Sequence, residues 1–225
     1  RSASSSAFSR AILSAMSFIP LGYHGDHARH KRARDNRLSA FSSRARVTPM
    51  SATFSPQLDI LPEPQRRLWP ELAAIPREFV LYGGTAIALR LGHLDSVDFD
   101  FFSRDPFDPN KLLVALPLLA QATVLEVEQN TLTVSVDREG PVKLSFFGVP
   151  NLGRVRPPEV TSDIGLPVAH LLDLGGSKAA VVQVRAEPKD YIDLAALLGA
   201  GLALSEMLAA AVAMYGRAFS SLSAL

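Results

Sequence analysis

The chain contains no cysteine. That excludes a disulfide scaffold, a zinc–thiolate site and a thiol nucleophile together, and it fits a reducing compartment. Long apolar runs are missing too. The longest, residues 194–204, stops at Ser205 and Glu206, well short of the ~20 residues a membrane-spanning helix needs. No membrane partner is expected, and a cytoplasmic location follows from the two absences together. The first 20 residues hold no sustained apolar stretch of the secretory kind. Full disorder is excluded as well, because 48% of residues are hydrophobic and only 20% charged.

Net charge is nearly absent at +1, and this is a cancellation. Residues 1–49 carry nine basic and two acidic side chains, a balance of +7; residues 50–225 carry 14 basic and 20 acidic ones, a balance of −6. Such asymmetry marks an appended segment rather than one uniform domain. Residues 1–49 are therefore read as a basic, Ser/Arg-rich leader, disordered or non-native, with the natural start at Met50. The His-rich run at 24–30 is read as a solvated polar tract. The remaining 176 residues suffice for one ordinary domain with a real core.

Periodicity begins after Met50. Residues 64–75 read as a helix opened by Pro64, and residues 79–82 as a buried strand ending at Gly83-Gly84. A helix is expected over 85–91, a strand over 96–102, and a helix starting at Asp108-Pro109. Three β-rich runs follow, 123–128, 131–136 and 142–149, separated by turns at Asn130-Thr131 and Glu139-Gly140. Residues 150–158 read as a loop. From Pro167 onward the chain is Ala/Leu-rich and reads as helices over about 167–185, 189–199 and 203–219. The fold class is thus α+β: a mixed-sheet core over 50–160, then a helical region over 161–225.

The chemistry lies in residues 81–103, LYGGTAIALRLGHLDSVDFDFFS. Asp98 and Asp100 are two apart in a strand, so both carboxylates face one side, while Val97, Phe99 and Phe101 face the other and can bury. Two adjacent like charges are costly unless a cation sits between them. Mg²⁺ suits the pair, being a hard ion that leaves coordination positions open for phosphates. Upstream, Gly83-Gly84-Thr85 opens a helix whose N-terminal N–H groups attract anions. A phosphate cradle plus an acidic metal pair is what transfer from a nucleoside triphosphate requires.

Gly-Gly-Thr followed by Asp-Phe-Asp-Phe-Phe resembles the polymerase β-type nucleotidyltransferase superfamily, and within it the AbiEii/AbiGii-type nucleotidyltransferase toxin family. The likeness continues through Lys178, Arg185 and the run Lys189-Asp190-Tyr191-Ile192-Asp193-Leu194, similar to that family's later helical motif. It covers about residues 54–216. The resemblance implies that Asp98 and Asp100 bind the metal and that Gly83, Gly84 and Thr85 hold the phosphates. It implies further that Lys178 contacts the triphosphate, with Arg185 beside it, and that Asp190 completes the catalytic set. It also implies a toxin with an antitoxin partner, and an acceptor hydroxyl on RNA, tRNA included, or on protein. On spacing alone, Lys178 and Arg185 are two turns apart on one helical face. Asp190 and Asp193 share a face of the next helix, where a solvated surface with a Lys189–Asp193 pair is the plain alternative.

Two departures stand out. The family usually has Arg after the His preceding Asp-x-Asp, and here Leu94 follows His93. Superfamily members commonly place a third carboxylate on a neighbouring strand, and here that strand offers Lys143, with Asp137 as a distant substitute. These departures motivate a second reading, a catalytically inactive relative that binds nucleotide or antitoxin. A third reading is a phosphatase of the haloacid dehalogenase type, in which an apolar strand ends in Asp-x-Asp. His93 is read either as a phosphate-orienting or a surface residue, His170 as lying on a helix packing face, Trp69 as core, and Gly175-Gly176 as a close-packing point in a helix.

Overall fold

A computed structural model describes residues 52–150, 152–184, 187–216 and 219–220. The expected leader 1–49 and Arg185 lie outside them.

The chain enters through a short strand β1 (Thr53–Phe54), a 3₁₀ turn (Leu58–Ile60) and helix α1 (Glu63–Leu68), which passes into a 3₁₀ stretch, Trp69–Ala74. The single helix expected over 64–75 is thus divided. Pro70 has no N–H to continue the α ladder, so the chain tightens there, still burying Leu68, Trp69 and Leu72. Strand β2 (Val80–Tyr82) leads into helix α2 (Gly83–Leu91). Gly83 turns this corner with φ +77°, a conformation a Cβ disfavours. Strand β3 (Asp98–Ser103) follows, then α3 (Pro109–Ala115), capped by the Asp108 carboxylate, which accepts from the N–H of Asn110 and Lys111.

A meander comes next: β4 (Thr123–Glu128), β5 (Thr131–Asp137) and β6 (Pro141–Gly148). Its two turns fall where expected, with Asn130 and Glu139 in the left-handed region. Like β1, two further short strands escaped the sequence reading, β7 (Glu159–Thr161) and β8 (Pro167–Val168). They carry the sheet past residue 160. The helix expected from 167 therefore begins later, as α4 (Leu171–Val184), followed by α5 (Pro188–Gly199) and α6 (Leu204–Tyr215). His170 is half-buried and immediately precedes α4. Its Nδ1 accepts from the Leu172 N–H and caps α4.

The architecture is α+β. Among the described residues eight strands form one mixed sheet in the order β1-β7-β8-β2-β3-β6-β5-β4. At its centre β3 runs antiparallel to β2 and parallel to β6. The core follows from the alternation along these strands: Leu81, Phe99, Phe101, Leu144 and Phe146 are fully buried. Phe101 stacks on Phe146 at 5.3 Å between centroids. Val97, expected inside, is exposed, because β3 begins one residue after it.

Helices α4 and α6 pack closely through Gly175 and Gly176. A Cβ on Gly176 would lie 3.0 Å from the Ala210 backbone carbon, and one on Gly175 would lie 2.7 Å from Met207 Cγ. The Tyr215 hydroxyl and Ser177 Oγ, 3.1 Å apart, join the same two helices. Among the described residues no single helix is long and apolar enough to cross a membrane; α5 and α6 pass such a test only as a pair, and their axes bend by 117° at the break.

Candidate active site

Strand β3 opens with its acids. Asp98 stands opposite Lys143 of β6, and Asp100 stands opposite Ser145 of β6 and Tyr82 of β2. Cross-strand partners share a face, so both carboxylates emerge beside Lys143 and Ser145. Asp98 is partly open, while Asp100 is only 5% exposed. Burial, then the neighbouring charge of Asp98, push the Asp100 carboxyl up to about 6; the ammonium groups of Lys143 and Lys178 and the Ser145 hydroxyl act against that rise. Among the described residues the Oδ1 of Asp100 has no hydrogen-bond partner.

Helix α2 is fixed against this strand by Thr85. Its hydroxyl donates to the Asp98 carbonyl and lies 2.6 Å from Ser96 Oγ. Thr85 is itself buried, and its side chain ties α2 to β3. The glycines at 83 and 84 form the first turn of α2, and Gly84 lies close to the second cluster: a Cβ there would sit 3.5 Å from Asp193 Oδ2.

That second cluster is buried. Lys178 on α4 reaches Asp190 Oδ1 at 2.9 Å and also pairs with Asp193, both on α5. Asp193 Oδ1 is 2.7 Å from His93 Nε2, in the loop after α2. Lys178, Asp190 and Asp193 are each at most 2% exposed. The solvated-face alternative for α5 is thereby overturned. Lys189 lies 3.9 Å from Glu187, and Asp193 turns inward to Lys178 and His93.

The first and second motifs therefore meet. Asp98, Asp100, Gly84, Lys178 and Asp190 converge from β3, α2, α4 and α5, and Lys178 lies near enough to act electrostatically on Asp100. Three participants were not among the expected site residues. Asp193 and His93 are 100 residues apart, a pairing that no local pattern could announce. Lys143 was noted only as the occupant of the third-acid position, yet its ammonium lies 3.6 Å from Asp98 Oδ2. Asp137 is exposed beside the β5–β6 turn, where its carboxylate accepts from the Gly140 N–H, and it lies one strand beyond β6 from Asp98. The phosphatase reading fails on the strand itself, because Asp98 begins β3 where that chemistry needs the acids at a strand's end.

The residues present fit a hard divalent ion. Asp100 Oδ1 is a buried acceptor without a donor, and two carboxylates leave further coordination positions to phosphate oxygens and water. Among the described residues no group of three or more His, Asp or Glu converges as a metal cluster. A cavity of about 480 Å³ lies elsewhere, lined by Arg77, Glu78, Val80, Arg104, Asp105, Pro150, Arg154 and Pro158. It touches the end of β3 opposite to Asp98 and contains none of the converging residues.

Among curated proteins the chain is similar to an uncharacterized protein of Aquifex aeolicus (strain VF5), 34% identical over 122 residues, 53% of this chain and 57% of that protein. The chain thus spans little more than half the length of that relative. Among solved structures it is similar to a crystal structure from H. pylori described as a candidate nucleotidyltransferase, at 17% identity and TM-score 0.34, covering 71% of this chain and 86% of that one. A score that low carries no argument about function. The model of the family described as "Nucleotidyl transferase AbiEii toxin, Type IV TA system" matches residues 67–224, a span that takes in both clusters. The chain belongs to the AbiEii nucleotidyltransferase toxin family.

Proposed function

We propose that the protein is a Mg²⁺-dependent nucleotidyltransferase that moves a nucleoside monophosphate from a nucleoside triphosphate to an acceptor hydroxyl. The observation that carries the reading is the buried Asp100 carboxylate, raised in pKa, with one oxygen unsatisfied, sharing a strand face with Asp98 and the field of Lys178. Asp98 and Asp100 hold the metal. Bound there, Mg²⁺ offsets charge on the triphosphate. The first turn of α2 at Gly83 and Gly84 receives phosphate oxygens through backbone N–H groups. Lys178 supplies positive charge toward the triphosphate and is oriented by Asp190 and Asp193. The acceptor oxygen forms a bond to the α-phosphorus as the bond from that phosphorus to pyrophosphate breaks, and the hydroxyl proton passes to water. The acceptor is RNA, tRNA included, or a protein hydroxyl. The reaction takes place in the cytoplasm, and an antitoxin protein is the regulatory partner.

The test is label transfer. The protein is incubated with each α-labelled triphosphate and total RNA, and the labelled species is identified. Asp98→Ala and Asp100→Ala are expected to abolish transfer while circular dichroism shows an intact fold. Transfer that survives both changes removes the assignment.

A further inference from the structure

Beside the unsatisfied Asp100 oxygen lies an unsatisfied cation. The Lys143 ammonium is buried, has no hydrogen-bond partner among the described residues, and stands 3.6 Å from Asp98 Oδ2. An ammonium carries three donors, and burying them unsatisfied opposes folding. Its carboxylate neighbour lies beyond hydrogen-bond range, so that cost is only partly offset. The two orphans have opposite sign and share one face of adjacent, in-register strands. A single ligand that brings both a cation and anionic oxygens satisfies both, and a metal-bound triphosphate is such a ligand. Lys143 and Ser145 are the β6 residues in register with Asp98 and Asp100, and neither is a carboxylate that could help hold a second metal ion between β3 and β6. A carboxylate there would recruit that ion; an ammonium there carries a fixed positive charge instead.

We infer that Lys143 is a catalytic residue that serves as the second cation of the site, donating to a non-bridging oxygen of the transferred phosphate in place of a second metal ion. The inference rests on the nucleotidyltransferase reading. As the acceptor oxygen bonds to the α-phosphorus and pyrophosphate departs with the electron pair of the broken bond, negative charge remains on the non-bridging oxygens. A fixed ammonium meets that charge without having to be recruited. The charge of Lys143 also opposes the repulsion between Asp98 and Asp100, so the site holds its carboxylate pair with one cation already built in.

The experiment measures binding rather than turnover. Non-hydrolysable α,β-methylene triphosphates are titrated into the full chain in EDTA and in Mg²⁺, for the wild type, Lys143→Met and Lys143→Arg. Lys143→Met is expected to weaken binding about ten- to a hundred-fold in both conditions, the loss of one charge-assisted hydrogen bond. Lys143→Arg should retain most of the affinity. Counting bound Mn²⁺ by electron paramagnetic resonance should give a single ion per chain in the wild-type complex. If Lys143→Met does not fold, Lys143→Gln, which keeps a neutral donor, takes its place and should show the same weakening. A wild type that binds but loses nothing in these variants, or that holds two Mn²⁺, overturns the role of Lys143 alone. A wild type that binds no analogue in either condition overturns the nucleotidyltransferase reading beneath it.

Discussion

Replacing Lys178 by Met tests whether the second cluster is one buried unit. Met keeps the length and apolar stem of Lys and removes only the charge. Asp190 and Asp193 would then face each other across α5 at 0% and 2% exposure without their shared ammonium. Removing one partner from a buried ion pair costs about 3–5 kcal/mol, because the other charge is left uncompensated. His93 still faces Asp193 Oδ1, so part of the buried charge keeps a partner and the lower half of that range applies. For a domain of this size 1 kcal/mol moves the melting temperature by about 2–4 °C, so a fall of about 6–15 °C is expected at neutral pH. The assay is a thermal or denaturant melt of the wild type, Lys178→Met, Asp190→Asn and the double variant. If the groups act together, the double variant is more stable than the sum of the two single losses predicts. A Lys178→Met protein within 1 kcal/mol of the wild type, or two losses that add simply, refutes the buried unit.

Other consequences follow from the same structure. Asp100 carries a folded-state pKa raised to about 6 from 3.8. Its protonated form is favoured by folding, so the penalty is absent below about pH 4, grows as pH rises toward 6, and is complete above it. At pH 7 in EDTA, Asp100→Asn should therefore stabilise the protein by about 1–3 kcal/mol while transfer is lost; a melting temperature that falls or stays level counts against a strained carboxylate. Gly176→Val should cost about 1–3 kcal/mol by forcing α4 from α6, where even a Cβ meets the Ala210 backbone at 3.0 Å, and urea melts would read it. Arg90 pairs with Glu159, donates to the Ala169 carbonyl at 2.9 Å and lies 3.9 Å over the Phe54 ring. Its replacement by Met should cost about 3 kcal/mol and loosen the β1–β7 edge, visible as faster hydrogen exchange at Val160 and Ser162.

The sequence made the meander and the first motif legible for a physical reason. Both are local: strands β4 to β6 are rich in β-formers and are joined by turns whose residues, Asn130 and Glu139-Gly140, state their own geometry. Strands β1, β7 and β8 are two or three residues long and gain their pairing only from each other and from β2, so no period could announce them. In the site, Asp98 and Asp100 were readable because two residues of one strand must share a face. The burial of Asp190 and Asp193 was not. Their helix, α5, shows polar residues at a spacing that suits solvent equally well, and only the approach of Lys178 from α4 and His93 from beyond α2 decides the matter.

That approach also says why the helical part belongs to the chemistry. The sheet supplies Asp98, Asp100 and Lys143, which by themselves leave a carboxylate oxygen and an ammonium unsatisfied. The helices supply Lys178, whose charge reaches Asp100, on a side chain fixed by two carboxylates of α5. Gly84 is the point of contact: a Cβ there would lie in ordinary van der Waals contact with Asp193, 3.5 Å away, so the first turn of α2 sits directly against α5. The distance between the metal pair and Lys178 is thus set by how α4 and α5 seat against α2.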